Sequence, residues 1–167
     1  MERSGFFNSS SGDRVYDAAD FASYFGKLAS NGIFYASATN LQATAGSGMM
    51  VNVAAGSAWI NGYSYENTDI LTLSIETADG INPRIDRVVV RWSLVDREIK
   101  LAVLKGAATP TPIAPALTRT ADVYELGIAD ILVPQGSAVV ISENITDTRL
   151  DTELCGLVNS LVSAVYE

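Results

Sequence analysis

The sequence predicts a mainly β protein, a sandwich or small barrel of short antiparallel strands with one helix before the strands and an amphipathic helix after them. Three observations favour this fold class. Apolar and polar residues alternate from Ile33 onward, Gly-rich and Asn-Gly breaks interrupt the alternation at short intervals, and helical spacing marks the two ends of the chain. With 167 residues, the chain is long enough for one core and leaves little for a second domain.

The N-terminal region reads as an arm followed by a helix. Residues 1–16 are rich in Gly and Ser and are predicted to be a flexible arm. In the segment that follows, Asp17 can cap the first turn of a helix and Asn31-Gly32 can end it. Residues at i, i+3, i+4 and i+7 share one face of this helix, and they are Phe21, Tyr24, Phe25 and Leu28. We expect the arm to dock to a partner. The aromatic face can form part of this docking surface, but we favour its packing as a cap on the core.

The middle of the chain alternates with period two, as half-buried strands do. Asn61-Gly62 predicts a two-residue hairpin turn, because Asn and Gly tolerate positive φ. Residues 85–95 and 99–104 form the best predicted strand pair. The Pro-rich segment, residues 106–120, lacks periodicity and is predicted to cross the surface in an extended form. A long strand is predicted at residues 123–133.

The last residues return to helical spacing and predict an amphipathic helix over residues 153–167. The residues predicted to line the interface of a homotrimer through this helix are Leu154, Leu157, Val158, Leu161 and Val165. Cys155 lies on the same stripe and is expected to be buried as a small hydrophobe. The predicted organisation is therefore an arm at 1–16, a helix plus β-sandwich domain at 17–152, and an oligomerisation helix at 153–167.

Composition excludes several classes of function. The net charge is −8, with 11 basic against 19 acidic residues, which argues against nucleic acid as a partner. No apolar run approaches the roughly 18 residues of a membrane span, so membrane insertion is not expected. Without His and with one Cys, the chain cannot form a Ser-His-Asp triad, a Cys-His nucleophile or a Cys-based zinc site. We expect no enzymatic activity, no metal and no cofactor.

Two charged clusters remain as candidate sites. In the first, Asp86 lies among Arg84, Arg87 and Arg91, whose guanidinium groups suit carboxylate or phosphate binding. We favour an internal ion pair of Asp86 with Arg87 or Arg91. In the second, Asp147 and Arg149 lack the glycine and terminal Glu of a calcium-binding loop, and the arginine repels a cation. An ion-paired turn is predicted there.

Saccharide binding is an alternative, because aromatic rings stack on sugars and amides bind hydroxyl groups. The candidate residues are Trp59, Tyr63, Tyr65 and Trp92 for stacking, and Asn61 and Asn67 for hydrogen bonds. Both tryptophans lie in alternating strand patterns, where the inward face is the default. We therefore expect at least one of them in the core.

Six segments, in their order along the chain, carry a resemblance to a known family. They are residues 12–14, 31–34, 56–62, 84–91, 109–115 and 145–149. With them the chain resembles, over residues 10–156, a domain of tail and baseplate proteins of phages that infect Gram-positive bacteria, namely the attachment domain of receptor-binding, upper-baseplate and appendage proteins. The resemblance implies a mainly β, non-enzymatic virion protein that docks a receptor-binding or fibre assembly to the particle.

The same resemblance implies the partners and the location. The expected partners are other tail or baseplate proteins and copies of the chain itself in a homotrimer. The expected location is the tail or baseplate of the virion, after synthesis in the cytoplasm of the host bacterium. A carbohydrate-binding module for host surface saccharide, and a neck or head appendage protein, stay open as alternatives.

Overall fold

The structure, a computed structural model, describes residue 2 and residues 5–162. One helix precedes ten strands in this part of the chain. The elements are α1 (Ala18–Phe25), β1 (Gly32–Ile33), β2 (Ala43–Ala45), β3 (Met50–Val53), β4 (Gly56–Ile60), β5 (Tyr63–Asn67), β6 (Leu71–Ser74), β7 (Arg84–Ser93), β8 (Glu98–Leu104), β9 (Val123–Val133), a 3-10 turn (Ser142–Asn144) and β10 (Ile145–Asp147). The predicted mainly β class is confirmed, and the described residues form three antiparallel sheets with no closed barrel.

Helix α1 begins at a capping box. The Asp17 carboxylate accepts hydrogen bonds from the backbone N–H groups of Ala19 (2.9 Å) and Asp20 (3.1 Å), and the Asp20 carboxylate accepts one from the Asp17 N–H (3.1 Å). The helix ends at Phe25, with Gly26 as its C-cap. Ala22 is its one buried residue. The aromatic side chains of the helix therefore stay largely outside the core.

The largest sheet has the strand order β10-β9-β7-β8, and β7 is its centre. The predicted pair of residues 85–95 and 99–104 is confirmed as the β7–β8 hairpin. The predicted strand at residues 123–133 is confirmed as β9, which pairs with the whole of β7 across one irregularity between Val88 and Val89. Because β7 has a neighbour on each side, nearly all of its residues are buried.

Two small sheets, β1-β4-β5 and β2-β3-β6, complete the domain. The three sheets share one buried cluster, to which each contributes aliphatic side chains. Its fully buried members include Ile33, Ile60, Val51, Val53, Val88, Val90, Ile128 and Ile131. One continuous core fits the single domain expected from the length of the chain.

The Asn61-Gly62 turn joins β4 to β5 and also supports α1. Both residues have positive φ, 53° and 84°, as the predicted hairpin turn requires. Asn31 clasps this turn through its side chain, which accepts from the Asn61 N–H (2.7 Å) and donates to the Asn61 side-chain oxygen (3.0 Å). A Cβ on Gly62 would lie 2.0 Å from the carbonyl oxygen of Ala22. The helix therefore rests directly on the backbone of the turn.

The prediction of a helix over residues 153–167 is wrong for its described part. Residues 156–161 instead run beside residues 28–33 and are hydrogen-bonded to them. The backbone N–H of Val158 donates to the carbonyl of Ile33 (3.0 Å), and that of Leu161 donates to Leu28 (2.9 Å). Gly156, at a φ of 79°, interrupts the apolar stripe. A stripe of barely two heptads makes a marginal helix, so these tertiary hydrogen bonds prevail.

The residues predicted to form a helical trimer seam are thereby separated. Leu157 packs against the core and bridges to Ile33, and Leu154 and Val158 are half-buried within the same chain. Leu161 is 53% exposed beside Leu28. Val165 lies outside the described residues. No single helical face therefore carries this set.

Candidate functional site

An exposed group of aromatic side chains forms where the N-terminal arm folds back on α1. The ring of Phe6 lies 5.4 Å from that of Phe21 and 5.2 Å from that of Tyr24, and Tyr24 lies 5.8 Å from Phe25. We call Phe6, Phe21, Tyr24 and Phe25 the aromatic surface. Each of the four is between 41 and 48% exposed, and none belongs to the buried core. The surface is thus only half covered by the chain itself.

The arm is held by local contacts that are exposed to solvent. The backbone N–H of Phe7 donates to the Tyr16 hydroxyl (3.0 Å). The carboxylate of Asp13 accepts from the N–H of Ser10 (2.8 Å) and the hydroxyl of Ser9 (3.2 Å). The hydrogen bond from the Ser10 backbone is the main reason why the pKa of Asp13 is lowered. These contacts shape the arm without connecting it to the buried core.

The inner side of the aromatic surface rests on the β4–β5 hairpin. The ring of Phe25 meets that of Trp59 edge to face, with 6.0 Å between their centroids. The indole Nε1 of Trp59 is buried and has no hydrogen-bond partner in the described residues. The surface is therefore attached to the hairpin by apolar contacts and by the close approach of Ala22 to Gly62.

A buried ion pair stabilises the start of β7. Arg84 and Asp86 are 2% and 1% exposed, and the Arg84 Nε donates to the Asp86 carboxylate at 2.9 Å. Arg84 also donates to the carbonyl of Thr77 (2.8 Å), while Asp86 accepts from the N–H of Gly106 (2.9 Å). Asp86 thus pairs with neither of the two arginines expected from the sequence, because they are turned toward β9.

Those two arginines pair across the sheet with acids of β9. Arg87 lies directly opposite Asp130, and its Nε donates to that carboxylate at 2.6 Å. Arg91 lies opposite Glu125, and its Nε donates to that carboxylate at 2.7 Å. Glu125 is fully buried. Opposite charges at facing positions stabilise an antiparallel pair, so the β7–β9 register brings both pairs together.

The Pro-rich segment is tied to the large sheet through the same charged groups. The Arg87 guanidinium donates to the carbonyl of Pro115 (2.7 Å), and the Glu125 carboxylate accepts from the N–H of Thr118 (2.6 Å). Arg119 donates to the carbonyl of Leu154 (3.0 Å). The segment therefore crosses the surface as predicted, and side chains replace the strand hydrogen bonds that it lacks.

A further buried arginine holds a loop on the other side of the domain. Arg149 is 3% exposed and donates to the Asp147 carboxylate at 2.6 Å. It also donates to the carbonyls of Asn40 (2.6 Å) and Ala38 (3.0 Å). The side-chain hydrogen bond from Arg149 is the main reason why the pKa of Asp147 is lowered. The ion-paired turn predicted from the sequence is present in this form.

Arg84, Arg87 and Arg149 therefore share one arrangement, which we call a clamp. In each, a buried guanidinium binds a carboxylate and also the carbonyls of a segment outside the strands. Two members of these networks, Glu125 and Asp130, were not among the candidates predicted from the sequence. Arg84 was part of the first predicted cluster, but Asp86 was expected to pair with Arg87 or Arg91 and pairs with Arg84 instead. The strand register could have revealed the two acids, because charged residues in a long buried strand require partners.

The residues considered for sugar stacking are largely engaged inside the domain. Trp92 is 6% exposed and belongs to the core, which confirms the expectation of at least one core tryptophan. Tyr65 packs against the core, and burial raises its pKa. The amide of Asn61 binds Asn31, and that of Asn67 donates to the carbonyl of Ala54.

The Cys155 thiol is buried as expected, and burial raises its pKa to about 12. Among the described residues, no three carboxylates or thiols are grouped closely enough to hold a metal ion. No helix in the same part of the chain is long and apolar enough to cross a membrane.

Neither a protein-family model, nor a curated protein, nor a solved structure matches this chain.

Proposed function

We propose that this chain is a non-enzymatic structural protein of a phage particle, a tail or baseplate component that docks a receptor-binding or fibre assembly through its aromatic surface. The observation that carries the proposal is the exposure of that surface. Its four rings are 41 to 48% exposed; Phe6 belongs to the arm, and the other three lie on a helix whose one buried residue is Ala22. The phage particle as the setting comes from the sequence resemblance.

The size of the aromatic surface supports a docking role. An aromatic side chain buries roughly 150–250 Å² when fully covered, so four half-exposed rings leave on the order of 350 Å² uncovered. Burying that area stabilises a complex by about 9 kcal/mol, at ~25 cal/mol per Å², before the entropy of association is subtracted. Patches of this size on a monomer often mark interaction sites.

The segments that carry the resemblance have structural roles, which also supports the proposal. Asn31, in the first strand-forming segment, clasps the Asn61-Gly62 turn. Arg84 and Arg87, in the long central segment, form clamps, and so does Arg149 near the C-terminal end. Such residues determine the shape of an attachment domain and need no bound substrate.

The non-enzymatic part of the proposal rests on the reactive groups of the chain. The sequence contains no His. With a pKa of about 12, the Cys155 thiol stays protonated at neutral pH and is a poor nucleophile. The buried carboxylates Asp86 and Glu125 each bind an arginine. An acid catalyst would instead need a carboxyl group kept protonated by apolar surroundings.

Other tail or baseplate proteins are the proposed partners at the aromatic surface, and a homotrimer is the proposed self-assembly. Leu161, Leu28 and Val162 offer exposed apolar contacts near the end of the described chain. Leu161→Asp is expected to lower the mass or the stability of the oligomer, as measured by gel filtration with light scattering. An unchanged mass and melting temperature would argue against a trimer contact at this position.

Particle incorporation tests the docking proposal. Deleting residues 2–12, or replacing Phe21 with Ser, is expected to abolish incorporation while the far-ultraviolet circular dichroism spectrum is unchanged. Ile113→Ser is the matched control, because Ile113 is an apolar residue of the Pro-rich segment and is 81% exposed. It should be incorporated normally. Normal incorporation of the deletion and of Phe21→Ser would contradict the proposal.

A further inference from the structure

A cleft of about 510 Å³ lies between the start of α1 and the tip of the β7–β8 hairpin. It is separate from the aromatic surface, and its lining is mainly apolar. The apolar residues that line it include Tyr63, Trp92, Leu94 and Ile99, and the charged ones are Asp17, Arg97 and Glu98. Tyr63, Leu94 and Ile99 provide most of the accessible apolar wall, because Trp92 is only 6% exposed; its ring lies 5.7 Å from that of Tyr63.

The charged groups of this cleft differ in whether they have partners. Asp17 caps α1, and Glu98 pairs with Lys100. Arg97 makes no ion pair and no side-chain hydrogen bond to any described residue, and it is alone in this among the described arginines. Its five N–H donors remain available, in a planar fork that matches a carboxylate.

Arg97 also has a left-handed backbone conformation. Its φ is 55°, in the left-handed region that a glycine adopts without strain. An L-residue with a side chain costs roughly 1–2 kcal/mol there. Arg97 is the last residue of the turn that joins β7 to β8, where a left-handed conformation is common, and it lines the cleft.

We propose that this cleft receives a segment of a partner virion protein in which a carboxylate stands next to a large apolar side chain. Arg97 binds the carboxylate through two parallel hydrogen bonds, and the apolar side chain packs against Tyr63 and Leu94. This inference rests on the proposed docking function and adds a second contact to it. The recognition is a charge-assisted pair beside an apolar pocket, a combination typical of binding hot spots.

A protein segment fits this lining better than a saccharide. A sugar ring brings several hydroxyl groups, and each one loses stabilisation if it is buried without a partner. Here Asp17 and Glu98 are already bonded, and Ser93 donates to Asp96. One strong anion and one apolar group match what the cleft still offers.

A small probe tests the chemistry directly. In ¹⁵N NMR titrations, 3-phenylpropanoate is expected to shift the amide signals of residues 97–99 in a saturable way, and its neutral amide, 3-phenylpropanamide, to bind at least tenfold more weakly. The Arg97→Gly variant should bind 3-phenylpropanoate about tenfold more weakly than the original protein does. Because glycine relieves the backbone at this position, the variant should melt no lower than the original protein, so lost binding cannot be attributed to misfolding.

The control is Lys105→Ala, which removes an equal charge from an exposed residue that does not line the cleft. It should leave binding unchanged. Equal binding of the acid and the amide, or full binding by Arg97→Gly, would overturn the proposal. Tighter, Arg97-dependent binding of methyl glucuronide would overturn it in favour of a sugar site.

The partner itself is tested in assembled particles. A photo-crosslinking amino acid at Ser64, which lines the cleft, is expected to capture a virion peptide with Asp or Glu within about two residues of a large apolar residue. A captured peptide without a carboxylate, or no crosslink in particles that contain the protein, would refute the inference. Failure of the docking function is distinguished from this, because it would keep the protein out of the particles altogether.

Discussion

The large sheet and the N-terminal region hold irregular backbone in opposite ways. Around the sheet, three buried arginines clamp segments that lack strand partners, and none of the three is more than 6% exposed. In the N-terminal region, the ring contacts of Phe6 hold the arm to α1, and exposed hydrogen bonds within the arm shape it. One region is fixed by charges removed from water, and the other by rings that remain half in water.

This difference separates a scaffold from the surface that is proposed to dock. Removing one member of a buried ion pair costs about 3–5 kcal/mol, because an uncompensated charge is left in the interior. Exposed contacts contribute about 1 kcal/mol or less. The clamps therefore set the stability of the domain, whereas the rings of the arm can exchange solvent for a partner at little cost to the fold. Four variants test this separation.

The largest effect is expected from breaking a clamp. Asp86→Ala leaves Arg84 buried without its carboxylate and should lower the free energy of unfolding by about 3–5 kcal/mol. Urea unfolding followed by tryptophan fluorescence measures this change. Lys105→Ala, which breaks the exposed Lys105–Glu76 pair, is the control and should have no resolvable effect. Similar losses in the two variants would show that burial does not set the strength of the clamp.

Gly62→Ala should have the next largest effect, because it disturbs the junction of the two regions. The added methyl group combines positive φ with contact to the Ala22 carbonyl, so a loss of about 2–4 kcal/mol is expected. Gly48→Ala separates the two causes, since Gly48 has a φ of 66° and no atom within 4 Å of an added Cβ. It should lose only about 1–2 kcal/mol. Equal melting temperatures for both variants would mean that the close contact between Ala22 and Gly62 adds nothing to the cost of the substitution.

The Arg149 clamp is expected to give a smaller effect that depends on pH. The pKa of Asp147 is lower in the folded protein than its ordinary value of 3.8. The Asp147 charge therefore contributes fully to the free energy of unfolding above the pKa of the unfolded chain. This contribution is lost as the pH falls through the lower pKa of the folded protein. Asp147→Asn should cost about 1–2 kcal/mol at pH 7, since Asp147 is partly exposed and Arg149 is buried.

The same variant should differ less from the original protein as the pH is lowered below 3.8, which thermal melts at pH 7 and in acid can measure. Glu143→Gln is the matched control, because it removes one carboxylate from an exposed residue. Its stability should follow that of the original protein at each pH. A difference for Asp147→Asn that stays constant with pH would contradict the role given to its charge.

The smallest effect on stability is expected at the aromatic surface. Phe6→Ser removes a ring that is already 48% exposed, so the free energy of unfolding should fall by less than about 1 kcal/mol. Calorimetry measures this change. Trp92→Ala provides the contrast, because it removes a buried aromatic residue and should cost about 3–5 kcal/mol. A large loss in Phe6→Ser would place the arm within the stabilising core.

The sequence predicted those features whose signals are local. The β7–β8 hairpin, the span of β9 and the Asn61-Gly62 turn each depend on alternation or turn chemistry within a few residues. The pairing of Asp147 with Arg149 is equally local, because the two residues are separated by one position. Such patterns survive in the folded protein because tertiary contacts reinforce them.

The partners of Arg87 and Arg91 could not be predicted in the same way, because both acids lie on a remote strand. Arg87 and Asp130 are 43 positions apart, and they meet only because β7 and β9 pair in one particular register. The prediction of a C-terminal helix was wrong for a related reason. Its helical spacing competes with backbone pairing to residues 28–33, a competition that depends on a remote segment and on the conformation of Gly156.

The contact of Gly62 with Ala22 has a mechanical consequence. Backbone meets backbone there, with no side chain between α1 and the turn. A load on the partner that is proposed to dock would therefore pass into the β4–β5 hairpin through backbone, which has no rotamers to change. The contact between Gly62 and Ala22 therefore resists compression, and the Asn61-Gly62 turn sets the direction in which the aromatic surface points.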